Sequence, residues 1–245
     1  MKKLFQIIFI GFALLQTAGA KAQNVQLFYD FGRGCATSTV EMFRPDPCGS
    51  TFFFIDMNYS PTVSEAYWEI SREFCFWNGT KMSWLSAHLE YNGGLAYIGP
   101  TDPGISFNNS WLVGLTYSGH SKDFSKTWSL SAMYKAIPGT VGLDGTSHTH
   151  NFQITGVWGL NFANGWCTFA GFADFWSESK QWKSSESLDE TNFVFMTEPQ
   201  LWVNLNKIEG MEKFNLSVGA EIEISANFLQ KGFKTLPAIG AKWTF

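Results

Sequence analysis

Charge is scarce in this chain. Asp, Glu, Lys and Arg together make up 16% of its 245 residues, against about 25% in a typical soluble domain. Long apolar runs are missing too: after residue 22 no unbroken stretch is long enough for a transmembrane helix, which excludes a helical membrane bundle. The four cysteines are too few for a disulfide scaffold, although an exported chain can still pair them. The net charge of −4 argues against nucleic acid as a partner. Enzyme signatures are absent as well. No G-x-S-x-G, H-E-x-x-H, P-loop or C-x-x-C occurs, so no catalytic residue, metal or cofactor is expected. His148 and His150 alternate in SHTHN; two such histidines suit a metal, but an exposed loop edge is the simpler reading.

Aromatic residues, by contrast, are abundant, at 17% of the chain, while hydrophobic residues are an ordinary 45% and the mean hydropathy is −0.07. An aromatic-rich chain of neutral hydropathy suits a barrel with an apolar outside and a polar inside. The chain opens MKKLFQIIFIGFALLQTAGAKAQ: a basic start, a short apolar run, then small residues around Ala20–Ala22. This is the pattern of a cleaved signal peptide over residues 1–22, with a barrel over residues 23–245.

The remaining signal has period two. In LPAIGAKWTF, Ile239, Ala241, Trp243 and Phe245 share one face. In KFNLSVGAEIEIS, Phe214 to Ile224 alternate with Asn215 to Ser225. Such runs match the roughly 9–11 residues of a tilted membrane strand. Turn-type stretches separate them: NGT at 78–80, ANG at 163–165, PGTVGLDGTS at 138–147 and SESKQWKSSESLDE at 177–190, the last read as a solvated loop. A first count gives eleven strands, but single-chain bacterial barrels have even numbers. Splitting residues 32–49 to free STVEMFR as a strand restores parity. The expected strands are 24–31, 38–44, 51–59, 65–77, 82–91, 107–117, 126–137, 149–160, 165–176, 191–204, 213–226 and 235–245. The fold class is therefore all-β: an antiparallel transmembrane β-barrel of about 12 strands, outer-membrane type. Phe245 then lies at the periplasmic end, where the barrel assembly machinery would take it, with most long loops on the outside. A soluble sandwich or lipocalin-like barrel is the alternative.

Alternation also assigns the lumen. It places Gln26, Phe28 and Asp30 inward on the first strand, and Phe52, Phe54, Asp56 and Asn58 on the third. Tyr67, Glu69, Ser71 and Glu73 follow on the fourth, with Trp84, His88 and Glu90 on the fifth. Trp166, Phe172, Asp174 and Trp176 come from the ninth, Glu198 and Gln200 from the tenth, and Glu221 and Glu223 from the eleventh. Acids dominate, with Lys135 and Lys242 the clearest bases. Rings among carboxylates suit a flat, neutral, hydroxyl-bearing solute: a base stacks on a ring, and a carboxylate accepts bonds from sugar hydroxyls. Inward rings that merely fill the barrel are the rival reading.

Arg72 falls on an outward face between Ile70 and Phe74. A lipid-facing Arg costs about 2–4 kcal/mol at mid-bilayer and little near an interface, so it is expected at the periplasmic rim. Cys35 and Cys48 fall at opposite ends of the second strand, too far apart to bond. Cys48 and Cys75 are expected as neighbours across the next hairpin and as candidates for a disulfide.

The stretches TSTVEMFRPDPCGSTFFFIDMNY, AYWEISREF, NFQITGVWGLNFANGWCTFAGFADFW and GAKWTF, in that order, resemble the nucleoside-specific channel-forming outer-membrane proteins (Tsx-like). The resemblance implies a monomeric twelve-stranded barrel in the bacterial outer membrane, in contact with its lipid, with a narrow channel for nucleosides. It implies substrate contacts at Phe28, Asp30, Phe52, Phe54, Asp56, Glu69, Phe172 and Asp174, and no catalysis, metal or cofactor. The expected function is passive uptake of small polar solutes, nucleosides first. The alternative is a plugged structural barrel or an outer-membrane enzyme scaffold with no open pore.

Overall fold

Alternating polar and apolar residues make strands with two unlike faces, and those strands must close on themselves in lipid to leave no edge unpaired. The computed structural model, which describes residues 23–97, 104–184 and 187–245, has that architecture. Its strands are β1 (Gln23–Asp30), β2 (Cys35–Asp46), β3 (Gly49–Tyr59), β4 (Val63–Phe74), β5 (Leu85–Ala96), β6 (Ile105–His120) and β7 (Lys126–Ala136). They continue as β8 (His150–Phe162), β9 (Cys167–Lys183), β10 (Leu188–Thr197), β11 (Gln200–Asn204), β12 (Leu216–Ala226) and β13 (Phe233–Thr244). Each pairs antiparallel with its neighbours, and β1 pairs with β13 to close the ring. β10 and β11 are halves of one barrel strand, since both pair with β9 on one side and β12 on the other. The molecule is thus a closed antiparallel barrel of twelve strands. The signal-peptide expectation for residues 1–22 lies outside the described residues.

The break in the tenth strand has a local cause. Pro199 lacks the N–H that a ladder needs, and the strand is interrupted at Glu198–Pro199. The facing Gly171 of β9 has φ of +155°, and a Cβ there would stand 2.5 Å from the Glu198 carbonyl oxygen. Glycine is what lets the two backbones approach.

The faces divide as a membrane barrel requires. Outward lie exposed apolar side chains, among them Leu27, Val113, Leu130 and Ile239. Inward lie buried polar ones, including Gln26, His88, Glu90, Lys135, Gln153 and Glu223. Among the described residues no helix is long and apolar enough to cross a membrane.

Some expected boundaries move. The described part of 177–190 is not a solvated loop: β9 runs on to Lys183 and pairs with β10, with Asp189 opposite Trp182 and Glu190 opposite Gln181. The Trp182 indole donates to Thr191 Oγ1 at 2.8 Å. The fifth strand does not stop at residue 91. It continues through Asn92, Gly93 and Gly94, with a register shift between Asn92 and Gly94 against β6. Long connections are not confined to one end either. Those at 75–84 and 205–215 share the end that carries Gln23 and Phe245.

Candidate functional site

Because side chains alternate across each strand, twelve strands converge their inward sets on one space. It is a cavity of about 1850 Å³. Its wall reaches both ends of the barrel: Pro45, Cys75 and Phe124 at the end holding the chain termini, and Arg33, Glu65 and Phe228 at the far end. The structure places all eight expected contact residues, Phe28, Asp30, Phe52, Phe54, Asp56, Glu69, Phe172 and Asp174, on this wall. Trp166 is not on it; that side chain is 41% exposed in the turn before β9.

The eight residues are of two kinds. Phe28, Asp30 and Asp174 are buried. Phe28 packs on the fully buried Trp202, ring centroids 5.6 Å apart. Asp30 is saturated by hydrogen bonds. It accepts from the backbone N–H of Gly32 and Arg33 and from the Arg33 guanidinium at 2.5 Å. Asp174 accepts the Thr155 hydroxyl. The other five, Phe52, Phe54, Asp56, Glu69 and Phe172, are half-buried on the lumen surface.

Four rings form a ladder along one wall. Phe52 and Phe54 stand 5.9 Å apart, Phe54 and Tyr67 5.9 Å, and Tyr67 stacks on Phe107 at 6.3 Å and 20°. Carboxylates flank the ladder. The Tyr67 hydroxyl donates to Glu69 Oε1 at 2.6 Å, and Thr39 donates to Asp56. The acids fall into two groups. Glu69 lies within electrostatic reach of Glu90, Asp174 and Lys135. Glu198 lies within reach of Glu221, Asp56, Glu223 and Arg33. Glu198 precedes Pro199 at the break in the tenth strand, and its backbone N–H donates to the Phe172 carbonyl at 3.2 Å.

Each group has a cation held in place. Lys135 donates to Gln153 Oε1 at 2.7 Å and stands 4.4 Å above the Trp176 ring. Arg33 bridges Asp30 and Glu223 at 2.5 and 2.6 Å. Burial of Arg33 opposes its charge, but Glu223 and Asp30 outweigh that and hold its pKa above the ordinary guanidinium value. A third cation, Lys242, stands 4.3 Å above Trp202. Below the first group, His88 links Glu73 and Glu90 at 2.6 and 3.2 Å.

Arg72 sits where an outward Arg costs least. It grips Asp46, beside the β2–β3 turn, through both guanidinium nitrogens, at 2.5 and 2.9 Å. Cys48 and Cys75 are neighbours: the Cys75 N–H donates to the Cys48 carbonyl at 2.9 Å, and both thiols are free. His150 shares a hydrogen bond with the Tyr134 hydroxyl, and His148 shares one with Thr146. Among the described residues no group of three or more His, Cys, Asp or Glu is placed to hold a metal.

Sequence reasoning passed over Asn92 and Phe107. NGG at 92–94 has turn composition, which masked a strand whose bulge admits the Phe107 ring. A Cβ on Gly94 would lie 2.4 Å from that ring. Arg33 was hidden as well, in what reads as a short outer loop.

The profile of the family described as "Domain of unknown function (DUF5020)" matches residues 22–245. No curated protein matches the chain. Among solved structures, the chain is similar to the NanC porin in a rhombohedral crystal form, with a TM-score of 0.57 and 11% identity. That alignment covers 91% of this chain and 100% of the other. A second similar structure is the outer membrane protein Omp33 of Acinetobacter baumannii, with a TM-score of 0.40, 12% identity and coverage of 93% and 100%. At 11% identity the likeness to the NanC porin is one of fold.

Proposed function

The chain belongs to the DUF5020 family, whose description names no activity, and from that premise we propose a function on the lumen itself. The protein is a bacterial outer-membrane channel for passive diffusion of small polar solutes, with nucleosides the class its lining serves best. The observation that carries this reading is the ring ladder Phe52–Phe54–Tyr67–Phe107 beside Asp56 and Glu69, in a cavity whose wall reaches both rims. Rings offer stacking to any planar base. Carboxylates offer acceptors to hydroxyls and disfavour anions such as nucleotides. The apolar outer face supports a place in lipid, and the porin-like fold is compatible with conduction. Phe172 faces the same lumen and adds a ring from β9. Phe28, Asp30 and Asp174, being packed and hydrogen-bonded, shape the wall rather than touch the solute. The reading needs no catalytic step, metal or cofactor, and takes the barrel as a monomer.

Single-channel recording in a planar bilayer tests it. A stable open current reduced by millimolar adenosine or thymidine is expected. Base–ring stacking is worth about 1–3 kcal/mol, so Phe54→Ala is expected to weaken the block by about tenfold. Asp56→Ala should weaken it as well. Absence of any conductance from folded barrels would favour a lumen plugged by its own side chains.

A further inference from the structure

Asn92 is the least settled polar group in the lumen wall. Its side chain is 1% exposed, and its Oδ1 has no hydrogen-bond partner. A buried amide oxygen left so is costly, about 1–3 kcal/mol, and native folds rarely tolerate one without a reason. Its place in the register supplies a reason. Asn92 is the direct cross-strand partner of Glu69, and such partners have Cβ atoms about 4.5–5.5 Å apart on one face. Glu90 is two residues away on the same face, paired with Ser71. The register shift at Asn92–Gly94 then opens the strand beside this point. Gly94 leaves room there for the Phe107 ring, which stacks on Tyr67.

We infer that Asn92, Glu69 and Glu90, with the Tyr67 and Phe107 rings, form a station that reads adjacent hydroxyl groups on a sugar ring. This rests on the channel reading above and names the part of the solute that the site selects. The groups that converge here accept hydrogen bonds, so the ligand must donate them. Lys135 lies near Glu69, and His88 is bonded to Glu90. Unmet are lone pairs, which neutral hydroxyls satisfy without adding charge. Among the described residues no group of three or more His, Cys, Asp or Glu is placed to hold a metal. The rings fit the flat face of the same ligand. The amide torsion of Asn is broad, so the orphan oxygen turns toward an arriving hydroxyl at little cost. The hydroxyls can come from the ribose of a nucleoside or from a free monosaccharide.

Equilibrium binding to the folded barrel in detergent, by titration calorimetry, tests the station without relying on conductance. The probes are adenosine, 2′,3′-dideoxyadenosine, adenine and ribose. Adenosine is expected to bind about three- to tenfold tighter than its dideoxy analogue, the worth of one or two hydrogen bonds. Asn92→Leu removes the acceptor at similar volume and should collapse that ratio to near one while dideoxyadenosine binding stays put. Glu69→Gln keeps the shape and should reduce the ratio too, which covers the case in which Asn92→Leu fails to fold. Folding is checked by the heat-dependent gel shift of the barrel. Ribose binding without adenine binding would assign the station to free sugars; adenosine above both would assign it to nucleosides. Equal affinity for adenosine and its dideoxy analogue in the native protein, or a ratio unchanged in both variants, overturns the station. Either result leaves the channel reading standing if adenosine still blocks the current.

Discussion

Single side chains in this lumen do two different jobs, and whether their packing and hydrogen bonds are already complete separates them. Phe28 is 4% exposed against a fully buried Trp202, whereas Phe54 is half-buried on the open surface between Phe52 and Tyr67. Removing a packed aromatic ring typically costs about 3–5 kcal/mol through lost contacts and a residual cavity. Phe28→Ala is therefore expected to lower the urea midpoint of the refolded barrel markedly. Phe54→Ala should spare stability and damage solute block, so the two variants cross over in two assays. A smaller residue-scale effect lies in the β6–β7 turn, outside the membrane. Asp123 accepts hydrogen bonds from the Ser121 hydroxyl and from the Ser125 hydroxyl and N–H. Those bonds favour the charged form and lower its pKa from 3.8 to about 2. A depressed carboxylate holds its turn above pH 3.8 and releases it as pH falls through 2. Carboxyl-carbon NMR should show Asp123 titrating with a midpoint near 2. A midpoint near 3.8 would mean the turn does not hold it.

Elements bring these side chains to their places, and two element-level features invite tests. Gly171 faces the break in the tenth strand, with φ of +155° and no space for a Cβ beside the Glu198 carbonyl. Strain of this kind costs about 1–3 kcal/mol, so Gly171→Ala should lower the urea midpoint and, by moving Glu198, alter conductance. The hairpin of β3 and β4 offers a second test. Gly49 pairs with Phe74, which sets Cys48 opposite Cys75, and antiparallel partners have Cα atoms about 4.5–5.5 Å apart, within disulfide reach. Mild oxidation followed by peptide mass mapping should join Cys48 to Cys75. A Cys35–Cys48 link would refute the register.

The same elements show what the sequence makes legible. Residues 51–59 read correctly because TFFFIDMNY alternates between lipid and lumen, so each parity carries its own chemistry. STVEMFR was recoverable only through strand parity, because the proline-bearing turn after it obscures its end. The β9–β10 hairpin was not legible at 177–190. Beyond the membrane both faces of a strand meet water, and SESKQWK loses the apolar half of its pattern. Asn92 was not legible for the opposite reason: the glycines that make the bulge are the residues that also make turns. The candidate site followed the strands. Phe52, Phe54, Asp56 and Glu69 came from strict alternation, while Arg33 and Asn92 depend on a loop and a bulge that alternation does not encode.

At the scale of the whole molecule, the fold sorts charge. The chain carries 21 Asp and Glu against 17 Lys and Arg. Among the described residues, the cavity wall holds twelve of those acids and only four of the bases, Arg33, Lys135, Lys180 and Lys242. The lumen is thus more negative than the protein that encloses it. A pore lined by carboxylates between low-dielectric walls concentrates cations and repels anions. The field is screened over about 10 Å at 0.1 M salt and about 3 Å at 1 M. In a potassium chloride gradient the reversal potential should carry the sign of a cation-selective pore, and the selectivity should fade as both solutions approach 1 M. Converting Glu221 and Glu223 to glutamine should shift the reversal potential toward zero, because these residues belong to the acid group around Arg33. A neutral solute feels none of this directly, so adenosine block should stay nearly constant across the same salt range. Block that collapsed with salt would mean the solute is bound by its charge, and an anion-selective current would contradict the sorting itself.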